Sequence, residues 1–137
     1  MRKALVVLLS LCLMTFFLSC GGGKYSDVKK INEQYIEELE KYIAALDKSE
    51  SAKDVAKAMN DFAGSMEDIM PRMRKLQEKY PELNDRKNPP EQLKESMKDA
   101  EEVGAKFAAS MMKTMRYMND PDVKKAQERF AKAMTNK

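Results

Sequence analysis

One stretch of the chain narrows its fold more than any other. Val55, Met59, Phe62, Met66, Ile69, Met73, Leu76 and Tyr80 alternate spacings of four and three without a slip. That is a heptad seam, the pattern of a long helix whose apolar stripe packs knobs-into-holes against neighbours. Ser51-Ala52-Lys53-Asp54 just ahead of it has the form of a capping box, in which a Ser side chain and an acidic side chain three residues on satisfy each other's backbone N–H groups. Pro71 falls inside the seam and removes the bond to the carbonyl of Glu67. Because the register survives it, the spacing predicts one continuous helix with a kink, helped by Gly64, ending at Tyr80-Pro81.

The remaining segments read as helices that could pack on this one. Val28, Ile31, Tyr35, Leu39, Tyr42 and Leu46 recur at helical spacing, with Ile36 and Ile43 widening the face. They predict a first helix over about Asp27–Asp47, opened by Ser26 as N-cap. After a polar loop at 81–88, Asn88 as N-cap and Pro89 at the first helical position predict a third helix over about Pro89–Asn119. Its first half is amphipathic through Leu93, Met97 and Ala100. From Val103 to Met118 the only charges are Lys106, Lys113 and Arg116, and a helix apolar around most of its girth is expected to be covered by more than one neighbour. Gly104 and Ala108 would let a partner approach closely. Asn119-Asp120-Pro121 then restarts the chain into a short helix over about Pro121–Met134, burying Val123, Ala126, Phe130 and Ala133 or Met134. No strand pattern and no internal repeat occur. The expected fold is all-α, an antiparallel bundle of three long helices plus a short C-terminal one, forming a single domain over residues 26–137.

The first residues follow a different logic. Arg2 and Lys3 precede an apolar run from Ala4 to Leu18, too short to cross a bilayer comfortably. Charge, apolar run and small residues in that order have the layout of a secretory signal. The segment closes with Phe17-Leu18-Ser19-Cys20-Gly21, which resembles the lipobox of bacterial lipoprotein signal peptides, with Phe17 standing where leucine is usual. The resemblance covers about the first 21 residues. It implies removal of residues 1–19, a lipid on Cys20, and a tether over residues 20–25 that holds the domain near a membrane. It also implies residence in the cell envelope, and in the outer membrane rather than the inner one in a cell with both, since Gly21 is not the aspartate that retains such proteins inside. Two or three acyl chains anchor stably where one does not.

Composition narrows the function further. Cys12 would leave with the signal and Cys20 would be consumed by lipid, so neither of the two cysteines would be left for a disulfide. Losing Arg2 and Lys3 takes the formal charge from +3 to +1. Basic and acidic residues are interleaved, with no basic stripe carrying aromatic residues, so nucleic acid is not an expected partner. The chain has no histidine, which excludes His-based triads and the Glu-x-x-His motif of di-iron bundles. Pairs such as Glu37-Glu38 and Glu101-Glu102 are adjacent in sequence and do not converge on one point. No enzyme activity and no cofactor are expected.

Methionine is the unusual choice. Of twelve in the chain, Met1 and Met14 lie in the signal segment. Others cluster as Met66, Met70 and Met73 on the second helix and as Met111, Met112, Met115 and Met118 on the third. Three readings follow. Methionines fill irregular cores; thioethers suit Cu(I); and flexible Met-rich faces make adaptable grooves for ligands or clients. The groove reading is similar to small periplasmic helical chaperones that act without ATP, although their Leu-Thr-x-x-Gln repeats are missing here. The sequence therefore predicts a membrane-tethered, non-enzymatic module that docks a protein or a second copy of itself, with a Cu(I) or hydrophobic-ligand carrier as the alternative. Met70, Met73, Met111, Met112, Met115 and Met118 are the candidate ligand or partner surface.

Overall fold

A computed structural model describes residues 23–85 and 88–135. The expected signal segment and Cys20 lie outside the described residues. The described residues are mostly helical, with no strand among them. Helix α1 spans Ser26–Asp47, α2 Ala52–Lys79, α3 Lys94–Thr114 and α4 Pro121–Thr135, with short 3-10 turns at Pro81–Asn84, Glu91–Leu93 and Met115–Tyr117.

Local chemistry sets most of these boundaries. The capping box at α2 forms as expected: Asp54 N–H donates to Ser51 Oγ at 3.2 Å and Ser51 N–H donates to Asp54 Oδ2 at 3.0 Å. At α4, Asp120 Oδ1 accepts from the N–H of Asp122 at 2.9 Å, and Pro121 takes the first helical position. Two expectations need correction. Ser26 does not cap α1; it is the first helical residue, its N–H donates to Gly23 O at 2.9 Å, and Tyr25 precedes it without a side-chain cap. Nor does the third helix begin at Pro89. A residue ahead of proline is steered away from helical geometry, so Pro89-Pro90 cannot start a helix, and Pro90 itself is extended at φ −51°, ψ 135°. The α-helix begins only at Lys94 and gives way after Thr114 to a 3-10 turn.

α2 continues without interruption through Pro71. Both Pro71 and Glu67, whose carbonyl loses its helical partner, are exposed. Val55, Met59, Phe62, Met66 and Ile69 of the seam are buried, while Met73, Leu76 and Tyr80 beyond the proline are only half-buried. Ala56, Ala58 and Ala63 are buried as well, because α2 has two helical neighbours. It packs on α1 over the seam and on α4, which places Val123, Ala126 and Ala133 in the core.

Successive helices reverse direction, yet spatial neighbours are not all antiparallel. Asn32 donates to Ser96 Oγ near the start of α1, and Ser110 Oγ donates to Asp47 near its end, so α3 runs parallel to α1. Arg129 reaches Glu67 and Arg74 donates to the carbonyl of Met134, so α4 runs parallel to α2. α3 approaches α1 closely and no other helix to that extent. The helices are therefore layered in the order α3, α1, α2, α4. One ring from each marks the order: Phe107 lies 5.7 Å from Tyr42, Tyr42 stacks on Phe62 at 4.6 Å, and Phe62 lies 5.6 Å from Phe130.

A smaller apolar cluster of Tyr25, Val28 and Leu93, with Leu76, Tyr80 and Leu83 against it, closes the end where α1 begins and α2 stops. Two polar clamps flank it. Glu82 accepts from Tyr25 Oη at 2.7 Å and pairs with Lys24 at 2.6 Å. Asp27 pairs with Lys79 at 2.6 Å and accepts from Tyr80 Oη.

Candidate functional site: the outer face of helix α3

Because α3 leans on one neighbour, only a narrow side of it is covered. Val103, Ser110 and Thr114 are buried, with Ser96, Ala100, Gly104, Phe107 and Met111 half-buried. The expectation that more than one helix would surround α3 does not hold; α2 is the helix covered twice. Met97, expected in the core, is 38% exposed, and Met112 and Met115 are 72% and 65% exposed. These three are the exposed large apolar side chains among the described residues. Met97 and Met112 lie on the outer side of α3, and Met115, the first residue of the 3-10 turn after it, continues that side, with exposed Ala105, Ala108 and Ala109 between Met97 and Met112. The face runs from Met97 to Met115, ~27 Å at the helical rise.

The candidate methionines do not share one environment. Met70 and Met73 are half-buried against the main core. Met111 is half-buried, and its sulfur accepts from Tyr42 Oη at 3.9 Å. Met118 is half-buried and its sulfur accepts from Gln127 at 2.8 Å. Met112 and Met115 point outward. The structure thus divides the set into core fillers and two surface groups, and two of the sulfurs already hold protein donors. Among the described residues no group of three or more His, Cys, Asp or Glu is placed to hold a metal ion.

Two further features adjoin α3. A cavity of about 340 Å³ near the start of α1 is lined largely by Val28, Ile31, Met73, Leu76, Leu93 and Met97, so one end of the outer face opens onto it. On the opposite flank, Glu33, Glu37, Glu40, Asp99 and Glu102 border a cleft between α1 and α3 with Lys106. Lys106 is paired with Glu102 at 3.0 Å. The buried polar residues on α3 were not marked by apolar periodicity. Ser110 is buried where its hydroxyl reaches Asp47 Oδ1 at 3.0 Å, and Thr114 where its hydroxyl reaches the carbonyl of Met111 at 2.8 Å. Ser110 and Thr114 share the α3–α1 contact with Val103, Phe107 and Met111, while Met97, Met112 and Met115 lie on the other side.

Comparison with protein-family models, with curated proteins and with solved structures finds no match to this chain. Among the described residues no helix is long and apolar enough to cross a membrane.

Proposed function

We propose that this chain is a lipid-tethered, non-enzymatic interaction module of the bacterial cell envelope, whose working surface is the outer face of α3. The observation that carries the reading is the segregation of Met97, Met112 and Met115 onto one helix face, with alanines between them. Single exposed apolar residues are ordinary on protein surfaces, whereas a contiguous patch marks a contact site. The tether rests on Phe17-Leu18-Ser19-Cys20-Gly21. It would place the domain, whose described part begins at Gly23, within a few residues of the bilayer, at the outer membrane in a cell that has two.

Each half of the reading has its own measurement. Cys20→Ser in the full-length chain is expected to abolish incorporation of labelled fatty acid and to release the protein from membranes; a mutant that partitions into detergent like the parent overturns the tether. For the surface, a photo-reactive residue at Ala108 is expected to form adducts in cells that Met112→Glu abolishes, while the same residue at exposed Glu128 forms none. Equal labelling at both positions, or none at Ala108, removes α3 as the working face.

A further inference from the structure

We infer that the cavity at the start of α1 takes one acyl chain of the lipid carried by Cys20. This rests on the tether proposed above and gives its lipid a second seat, inside the protein. The walls set the chemistry. A volume of about 340 Å³ falls within the ~300–1,000 Å³ range of small-molecule sites. The lining is aliphatic or methionine apart from the uncharged amides of Asn32 and Gln77, with no charged side chain in it among the described residues. The Asn32 amide already donates to Ser96 Oγ at 3.3 Å. Lys24 and Lys79, which flank the neighbouring cluster, are each paired with a carboxylate at 2.6 Å. A free carboxylate or phosphate would therefore be buried without a partner, which is costly. A hydrocarbon chain joined through an ester brings no charge, and the flexible side chains of Met73 and Met97 in the wall suit a ligand of no fixed shape.

Placement points the same way, independently. Leu83 lines the cavity, and Glu82 beside it holds the first residues of the domain. Its carboxylate accepts from Tyr25 Oη at 2.7 Å and pairs with Lys24 at 2.6 Å. Tyr25 is buried, and the Ser26 N–H donates to the Gly23 carbonyl at 2.9 Å. The chain is thus fastened beside the cavity from Gly23 onward, and Val28, one turn into α1, is part of the wall. Cys20 precedes Gly23 by three residues, a span of at most ~11 Å, so a lipid on its sulfur begins close to the opening.

Leaving water favours a hydrocarbon chain equally in a bilayer and in an apolar cavity, so exchange between the two is nearly balanced. Two or three chains anchor stably where one does not. Seating one of them in the protein therefore loosens the attachment without ending it, and sets the α1 start against the membrane surface.

Photo-cross-linking of the lipidated full-length product tests the assignment. The protein is made in cells fed a palmitate that bears a diazirine, purified, and returned at low density to vesicles of unlabelled phosphatidylethanolamine and phosphatidylglycerol. Its own lipid is then the photo-reactive group. On irradiation, peptides carrying Leu83 or Met97 are expected to acquire label severalfold above the peptide carrying exposed Glu128. Gln77→Trp, at an exposed position on the cavity rim, should fill the mouth and lower that label severalfold with helix content unchanged; if helix content falls, Leu83→Trp takes its place. Label confined to phospholipid, or spread evenly over exposed peptides, overturns the cavity and leaves the tether standing. So does cavity label that a folded rim variant leaves unchanged. Equal labelling of the same peptides by diazirine-bearing phospholipid around unlabelled protein overturns Cys20 as the source. A product purified without any labelled acyl chain removes the tether itself, and this inference with it.

Discussion

Gly64 sits in the middle of α2 where α4 crosses it. A methyl group added there would lie 3.6 Å from Arg129 Nη2, an ordinary contact. The glycine therefore costs helix stability without making room for anything. Gly64→Ala is expected to raise unfolding free energy by ~0.5–1 kcal/mol, measured by urea denaturation. Met66, fully enclosed by the core, is the opposite case, and Met66→Ala should cost ~2–5 kcal/mol by the same measurement, because the cavity cannot collapse fully. Met112→Ala should stay within about 0.5 kcal/mol of the parent, since its side chain is mostly in water. Methionine as a residue type thus says little by itself; the position of each sulfur relative to α1 decides whether it is packing or surface.

At the scale of elements, the helices were legible where periodicity and caps agreed. The seam from Val55 to Ile69 and the box at Ser51 and Asp54 are found as the spacing required, and α4 starts at Pro121 as its Asp120-Pro121 step required. The start of α3 was misread because Pro89 suits a first helical position only if the next residue is not also proline. Its buried side was misread for another reason. The residues facing α1 include Ala100, Val103, Phe107 and Met111 at helical spacing, with Ser96, Ser110 and Thr114 among them, whereas Met97, Met112 and Met115 face out. A face that is apolar for docking and a face that is apolar for folding give the same spacing, and only the neighbour distinguishes them. Ala108→Glu should consequently leave helix content and melting temperature near those of the parent while abolishing docking on that face. A large loss of melting temperature would mean that α3 is buried on that side after all.

The whole molecule is held at one end by charge and through its middle by rings. At the α1 start, Lys24 and Tyr25 hold the Glu82 carboxyl down to about 2, and Lys79, through a hydrogen bond, holds Asp27 below the usual carboxylate range. Folded-state values below the unfolded ones mean that these clamps contribute fully above the ordinary carboxylate range and are lost as pH falls through it toward about 2. Melting temperature should therefore hold level at neutral pH and drop on acidification, and Glu82→Gln should flatten part of that drop in a calorimetric pH series. The chain of rings Phe107, Tyr42, Phe62 and Phe130 touches every helix once. Burial pushes the Tyr42 hydroxyl up to about 12, and the chain has no tryptophan. The protein thus contains an intrinsic optical gauge of its own assembly: at alkaline pH below about 12 the phenolate absorbance of Tyr42 should rise when the four layers come apart.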